Sequence, residues 1–284
     1  MKRTLAAIFL VAFFINPLSA EQLTGTLEQI KKSGKIRIGY RQSQPPMSSL
    51  DEDGKACGYS IDLCETIVTE IQKKIDSNVK AEYVPVTAED RFQALADKKI
   101  DILCGSTTKT FSRSELVDFT QLTFLTGASL MTLKGKNIRG NLAGKKIGVV
   151  KGTTTAVELK KLFVETKTNA QTVFLRSTEE GLNALEKEKI DAFAGDQVVL
   201  IGLALNADNP DNFSILPDLF SYEPLALAVR RNDADFRLLA DRVISDLCRS
   251  KQILRMYDKW FGSFSILRPS AFEALVKMNA AIAE

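Results

Sequence analysis

The stretch RFQALADKKIDILCG, residues 91–105, decides the fold, because a related stretch, GLNALEKEKIDAFAG, follows at residues 181–195. Each copy has the pattern of a short amphipathic helix, a lysine-rich helix end and a buried strand. An earlier pair, SGKIRIGY from Ser33 and AGKKIGVV from Ala143, starts a strand with Gly-Lys in both places. Since the two pairs occur in the same order, the sequence predicts two similar α/β lobes.

Strands and helices alternate along the rest of the chain, which predicts mainly parallel sheets flanked by helices. Two apolar extended runs, residues 119–132 and 222–231, are predicted to cross between the lobes. The last helices are predicted to return to the first lobe. The predicted lobe 1 is therefore residues 21–124 with 226–284, and the predicted lobe 2 is residues 125–225.

The composition excludes several functions. The chain has 284 residues, of which 26% are charged and 45% are hydrophobic, as is usual for a globular protein. It contains no histidine, which excludes Ser-His-Asp and Cys-His catalysis and histidine-ligated metals. We expect no metal ion and no cofactor. The 38 basic and 35 acidic residues form no long basic run, so we expect no nucleic-acid partner.

The first twenty residues have the pattern of an export signal. Lys2 and Arg3 precede an apolar run from Leu5 to Ile15, and the small residues after it predict cleavage after Ala20. This run is too short to span a bilayer, which takes about 20 residues. Removal of the segment leaves 36 basic against 35 acidic residues. We therefore expect a near-neutral monomer in the periplasm.

Four cysteines, Cys57, Cys64, Cys104 and Cys248, permit two disulfides in an exported protein, with three possible connectivities. The sequence does not choose among these connectivities. Buried free thiols are an equal alternative for at least one pair. The spacing of Cys57 and Cys64 matches no zinc motif.

Polar side chains, many of them hydroxyls, gather where predicted strands end. CGSTTKTFSR (104–113) ends a strand of lobe 1, and VVKGTTTA (149–156) and FAGDQ (193–197) end strands of lobe 2. Ligands of open α/β sheets bind beyond the carboxyl ends of the strands. A cleft there would have Arg113 on one side and Asp196 on the other. Because arginine matches a carboxylate and aspartate matches an ammonium, the pattern predicts a site for a zwitterionic amino acid.

The chain resembles the periplasmic binding proteins of polar amino-acid ABC importers in three stretches: SGKIRIGYRQSQPPMSSLDEDGKACGYSIDLCETI, IDILCGSTTKTFSRSELVDFT and KGTTTAVELKKL. The resemblance runs from about Thr26 to Phe261 and is closest to the glutamate/aspartate binders, in GYRQS, VPVTAEDR and CGSTT. It implies a two-lobed fold without enzymatic activity. It also implies closure on an acidic or other polar amino acid, glutamate or aspartate above all, and delivery of this ligand to a membrane permease.

The resemblance further implies ligand-binding roles for particular residues. Arg113, Ser106 and Thr108 would hold the α-carboxylate, the turn of Gly152, Thr153 and Thr154 would donate from lobe 2, Asp196 would receive the α-ammonium, and Arg41 and Arg91 would face the ligand side chain. Two positions depart from the acidic binders. Ala88 stands where they carry a serine, and STEEG (177–181) lacks the histidine that is expected there.

Simpler roles remain open for the same residues. Ser106, Thr108 and Asp196 could each cap the helix that follows, and Arg91 could pair on a helix face with one of the two acidic residues before it. A second class of function is an exported enzyme on the same scaffold, as in cyclohexadienyl dehydratases. Such an enzyme needs a carboxylic acid of raised pKa in the cleft. A detached sensor module is a third class of function.

Overall fold

The computed structural model describes residues 22–136, 138–262, 264 and 268–282, so the predicted export segment lies outside the described residues. The strands are β1 (Lys35–Tyr40), β2 (Ser43–Gln44), β3 (Ser48–Leu50), β4 (Ala56–Cys57), β5 (Lys80–Pro85), β6 (Ile102–Cys104), β7 (Val117–Thr126), β8 (Ala128–Leu133), β9 (Lys146–Val150), β10 (Gln171–Leu175), β11 (Ala192–Asp196), β12 (Phe213–Ile215) and β13 (Glu223–Arg230). The helices are α1 (Gly25–Ser33), α2 (Tyr59–Ile75), α3 (Arg91–Ala96), α4 (Phe111–Ser114), α5 (Thr154–Glu165), α6 (Thr178–Glu186), α7 (Gln197–Leu205), α8 (Ala234–Arg249), α9 (Gln252–Phe261) and α10 (Ser270–Ala280). Within these ranges, no helix has the length and apolar character that crossing a membrane requires.

The two large sheets have the same plan. The first has the strand order β5-β1-β6-β13-β7 and the second has the order β10-β9-β11-β8-β12. In each sheet the first three strands are parallel, and the fourth is antiparallel to both of its neighbours. Four of the five strands therefore point the same way, as expected of a mainly parallel sheet. The strands that end the repeated stretches, β6 and β11, hold equivalent places, which confirms the prediction of two similar lobes.

The chain crosses between the lobes twice. The strand β7 ends at Thr126, and after Gly127 the chain continues as β8 in the second sheet. It returns between β12 and β13, and Glu223, the first residue of β13, is paired with Thr126. The two crossings therefore lie side by side. The predicted boundaries at 124/125 and 225/226 fall inside β7 and β13 and stay a prediction.

Helices cover both faces of each sheet because their apolar residues recur on one side. On α2, Ile61, Cys64, Ile67 and Ile71 are all buried. Together with α8 they cover one face of the first sheet, and α3 covers the other. In lobe 2, α5 covers one face, and α6 and α7 cover the other. Each buried isoleucine contributes about 1.5–3 kcal/mol of transfer free energy, so these faces hold the helices on the sheets.

The carboxy-terminal helices pack on the first lobe, as predicted. The helix α8 contacts α2 and β7, and α10 contacts α8 and β7. Phe124 of β7 stacks on Phe261 of α9, with ring centroids 4.8 Å apart, and lies 5.3 Å from the ring of Phe272 in α10. The first lobe is thus completed from both ends of the chain.

One disulfide lies close to the predicted site. Cys64 of α2 is bonded to Cys104 at the end of β6, whereas Cys57 and Cys248 are free thiols. The sequence allowed either two disulfides or free thiols for at least one pair of cysteines. The structure has one disulfide and one pair of free cysteines. The bridge ties α2 to the strand from which the hydroxyl-rich loop leaves the sheet.

Candidate functional site

The ends of β6, β9 and β11 meet at a cavity between the lobes. Eight of the nine predicted site residues line it, namely Arg41, Arg91, Ser106, Thr108, Arg113, Thr153, Thr154 and Asp196. The other lining residues are Gln44, Val150, Thr155, Thr178, Ala194, Gly195, Val199 and Leu200. The cavity therefore lies beyond the carboxyl ends of parallel strands, where ligands of open α/β sheets bind.

The two lobes touch each other around this cavity. The Nζ atom of Lys151 in lobe 2 is 2.8 Å from Oε1 of Glu89 in lobe 1. Gly202 of α7 lies so close to lobe 1 that a β-carbon on it would be 2.3 Å from the carbonyl oxygen of Pro45. These contacts close the cleft over the cavity. Among the described residues, Glu89 forms an ion pair with Lys151 and none with Arg91, which was one of the simpler roles.

Two of the three arginines in the cavity are almost fully buried. Arg41 is 5% exposed and Arg91 is 3% exposed. Burial lowers the pKa of Arg41 to about 10, and burial together with Arg113 and Arg41 lowers the pKa of Arg91 well below its usual range. The Nε atom of Arg91 has no hydrogen-bond partner among the described residues. A buried and unpaired cationic group is costly, so this end of the cavity favours an anion.

Gly152 is the predicted site residue that does not line the cavity. Its carbonyl oxygen lies 3.4 Å from Nη2 of Arg91, which donates to it across the lobes. A β-carbon on Gly152 would be 3.1 Å from the carbonyl oxygen of Ala88. Gly152 therefore belongs to the contact between the lobes.

Arg113 is held beside the cavity by two contacts. Its Nη1 atom donates to the carbonyl oxygen of Thr108 at 2.8 Å. Its guanidinium lies 5.3 Å from the ring centroid of Phe92, and that of Arg91 lies 4.8 Å from the same centroid. Cation–π attraction to this ring stabilises both positive charges.

Asp196 is the carboxylate that faces the cavity. Its side chain is half-buried and borders the cavity. Burial and the nearby carboxylate of Glu223 raise its pKa to about 7, although Arg113 and Arg91 oppose this shift. Its hydrogen bond from Thr155 Oγ1 is long, at 3.5 Å. Asp196 therefore has capacity for a cationic partner.

The hydroxyl groups of the loop after β6 bond to protein acceptors. Thr108 Oγ1 and Thr154 Oγ1 donate to Oε2 of Glu223 at 2.6 and 2.8 Å, and Ser106 Oγ donates to Oε1 of Gln44 at 3.0 Å. In this structure the hydroxyl protons of Ser106 and Thr108 are directed to side-chain acceptors within the protein. The roles of Arg113, Ser106 and Thr108 at an α-carboxylate stay predictions.

The helices α4 and α5 are capped by residues other than Ser106, Thr108 and Asp196. Thr110, and neither Ser106 nor Thr108, caps α4. Thr153 caps α5, so this predicted site residue has a structural role as well as a place in the cavity wall. Asp196 precedes α7 without a side-chain capping bond.

Several polar residues near the cavity were not predicted. Thr178, within STEEG, donates to the carbonyl oxygen of Ser43 in lobe 1 and lines the cavity. Gln44 lines it from β2. Glu223 is 1% exposed, and the signal that could have revealed it is a single carboxylate at the start of an otherwise apolar crossing strand. Within the described ranges, no three cysteine, aspartate or glutamate side chains group into a possible metal site.

Two lobes that close over a charged cavity define a two-lobed ligand-binding protein. Residues 36–263 match the family described as bacterial extracellular solute-binding proteins, family 3, and the chain belongs to this family. The resemblance seen in the sequence is thus confirmed.

Similar proteins agree with this assignment. The L-glutamate/L-aspartate-binding protein of Pseudomonas aeruginosa is 33% identical over 261 residues, which cover 90% of this chain and 86% of that protein. The glutamate/aspartate import solute-binding protein of Escherichia coli K12 is 33% identical over 239 residues, covering 83% and 79%. The crystal structure of a cysteine-binding protein from Campylobacter jejuni superposes with a TM-score of 0.76 at 27% identity, and the match covers 88% of this chain and 98% of that chain.

Proposed function

We propose that this chain is the ligand-binding component of an amino-acid ABC importer and that it binds glutamate or aspartate between its lobes. The observation that carries the proposal is the charge of the enclosed site. Three arginines, Arg41, Arg91 and Arg113, line the cavity with Asp196, and Glu223 lies directly behind the wall. Three positive charges against two carboxylates leave one surplus positive charge.

This surplus charge selects among classes of amino acid. An acidic amino acid carries one net negative charge at neutral pH and would neutralise the site. A neutral amino acid would leave one buried guanidinium without a counter-ion, at a cost of several kcal/mol. A basic amino acid would add repulsion. The exposed carboxylate of Asp90 also acts on Arg41 and Arg91, but water screens an exposed charge.

The same arrangement of charges indicates which residues would bind each end of the ligand. Arg113 would bind the α-carboxylate through the guanidinium nitrogens that Thr108 does not occupy, and Asp196 would accept from the α-ammonium. Arg41 and Arg91 would bind the side-chain carboxylate, with the unpaired Nε of Arg91 as one donor. Charge-assisted bonds of this kind are short and strong.

The same proposal includes a partner and a location. The relative in E. coli is named for glutamate/aspartate import and the relative in P. aeruginosa for glutamate/aspartate binding, which supports import of an acidic amino acid by this chain. We propose that the closed form docks on a membrane permease, that residues 1–20 are removed on export, and that the protein works as a periplasmic monomer without catalytic activity.

A thermal-shift screen of the mature protein against the twenty amino acids tests the binding function. A ligand at 100 times its dissociation constant adds about 2.7 kcal/mol to the free energy of unfolding. We expect glutamate and aspartate to raise the melting temperature and lysine and leucine to leave it unchanged. A response to lysine or leucine alone would contradict the proposal.

One observation favours a second candidate function. A dehydratase of the cyclohexadienyl type needs a carboxylic acid that stays protonated near neutral pH, and Asp196 has a pKa raised to about 7. In a binding protein the same pKa arises because no ammonium is beside the carboxylate. Incubation with prephenate or arogenate separates the two functions: we expect no turnover, and formation of phenylpyruvate or phenylalanine would establish the enzyme.

A further inference from the structure

Glu223 lies outside the cavity, at the two crossings between the lobes, which we call the hinge. It is the first residue of β13 and is paired with Thr126, the last residue of β7, so it stands where the two crossings lie side by side. Its side chain is 1% exposed. A buried carboxylate is stable only when hydrogen-bond donors satisfy it.

Three hydroxyl groups from three parts of the molecule supply these donors. Ser221 Oγ, in the segment that crosses between the lobes, donates to Oε1 at 2.6 Å. Thr108 of lobe 1 and Thr154 of lobe 2 both donate to Oε2, at 2.6 and 2.8 Å. The carboxylate therefore joins the loop after β6 to the first residue of α5, which are the two walls of the cavity.

The hydroxyl protons of Thr108 and Thr154 are both used in hydrogen bonds among these two threonines and Glu223. The two Oγ1 atoms are 3.1 Å apart, and either could donate to the other. Each hydroxyl has one proton. Whether both donate to Glu223 or one donates to its neighbour, both protons point into the triangle of these three side chains. Neither hydroxyl has a proton left for the ligand.

This distribution of protons determines which ligand group the two threonines can bind. A hydroxyl whose proton is committed offers only lone pairs. Two neighbouring oxygens that present lone pairs to a cavity repel a carboxylate and accept from an ammonium. Thr108 and Thr154 line the cavity together with the carboxylate of Asp196, which also accepts hydrogen bonds.

We propose that Glu223 is a positioning residue of the ligand site: by accepting the hydroxyl protons of Thr108 and Thr154, it orients both oxygens as acceptors for the α-ammonium of the ligand and links the two lobes at the hinge. This inference rests on the proposed function, since it requires a ligand with an α-ammonium. Glu223 itself does not line the cavity, so it acts through the two threonines.

Glu223→Gln tests this role because it keeps the shape of the side chain and removes the charge. The amide can donate as well as accept, so the threonine protons are no longer all directed at residue 223. The test ligands are glutamate and glutarate, the diacid of the same chain length without the ammonium. We expect Glu223→Gln to weaken glutamate binding roughly tenfold or more, which is about 1.4 kcal/mol, and to leave glutarate binding unchanged or tighter.

If Glu223 had a purely structural role, Glu223→Gln would change glutamate and glutarate binding in a different way. Loosening of the hinge would weaken both ligands by the same factor, whereas loss of the ammonium acceptors lowers only the preference for glutamate. Removal of the Glu223 charge also weakens the direct attraction to an ammonium. Thr154→Val keeps that charge and removes only a hydroxyl acceptor, so a selective loss for glutamate in Thr154→Val as well separates hydroxyl orientation from charge alone. Glu82→Gln, at an ion pair on the outer strand β5, is the matched control and should bind both ligands as the wild type does.

Thr154→Val provides a second route if Glu223→Gln does not fold. It removes one hydroxyl and keeps the volume, and we expect the same selective loss for glutamate. The double variant should lose less than the sum of the single variants, because both changes break one network. Equal loss for glutamate and glutarate, or wild-type binding of glutamate by Glu223→Gln, overturns the role of Glu223. A wild type that binds no α-amino acid instead overturns the proposed function, and this role with it.

Discussion

Gly202→Ala should prevent complete closure of the lobes without harming either lobe. A β-carbon at this position would lie 2.3 Å from the carbonyl oxygen and 2.6 Å from the carbonyl carbon of Pro45, where ordinary contacts begin at 3.4 Å. The lobes would therefore have to part locally by about 1 Å. Because the obstacle is main chain in lobe 1 and not a flexible side chain, no change of rotamer relieves it.

The cost should appear in the affinity for ligand. Overpacking at a close contact typically costs about 1–3 kcal/mol, or roughly a 5- to 150-fold rise in the dissociation constant. The open form does not have the contact, and alanine within a helix is favoured over glycine by about 0.5–1 kcal/mol. The melting temperature without ligand should therefore stay the same or rise.

Calorimetric titration and thermal melting measure these two effects separately. Gly181→Ala is the matched control, since its β-carbon would lie 2.4 Å from ring atoms of Phe193 within lobe 2. That variant should melt at a lower temperature without ligand. If Gly202→Ala binds with the wild-type dissociation constant, or loses stability as Gly181→Ala does, the closed contact does not belong to the ligand-bound form.

Four other predictions follow from the site and the core. Arg113→Ala should weaken the ligand by about 3–5 kcal/mol, which calorimetry would record as roughly two to three and a half decades in the dissociation constant; a change of only a few-fold rejects its role. Arg91→Met should weaken glutamate more than glutamine in the same titration, and equal losses would place Arg91 away from the side chain. Since the pKa of Asp196 is about 7 in the free protein and an ammonium beside it lowers that pKa, binding should release a proton below pH 7. Affinity should then fall by up to about tenfold per pH unit as the pH decreases, and titrations in buffers of different ionisation enthalpy would detect the proton; a flat profile between pH 5.5 and 8 contradicts the pairing. Replacing Cys64 and Cys104, which are 40 residues apart, with serine should cost about 4 kcal/mol of unfolding free energy on loop entropy alone, and urea denaturation that shows no loss would reject the bridge.

The two lobes could be predicted because their signals are local. The pattern at residues 91–105 combines helix and strand periodicity within one stretch, and its second copy at 181–195 shows that the unit recurs. The location of the site followed from the same reading, since β6 and β9 are followed by hydroxyl-rich segments and β11 ends at Asp196. The fold could thus be predicted from hydrophobic periodicity and the repeated stretch, and the place of the site from the residues at the strand ends.

Contacts between distant residues could not be predicted in this way. Thr108 and Glu223 are 115 positions apart, and Thr154 and Glu223 are 69 apart. Only the folded chain shows that these hydroxyls donate to a buried carboxylate. The contact between Gly202 and Pro45 also could not be predicted, because it joins two lobes that are distant in sequence. The choice among disulfide partners also depended on which helix covers which strand.

The central claim is that the surplus positive charge of the cavity selects an acidic ligand. Glutamate and glutamine have nearly the same shape and differ by one charge, so the ratio of their dissociation constants for the wild-type protein tests it most directly. A buried guanidinium left without its counter-ion costs several kcal/mol, so we predict that glutamate binds roughly a hundredfold or more tightly than glutamine. Equal affinity, or tighter binding of glutamine, would show that Arg41 and Arg91 do not face the ligand side chain.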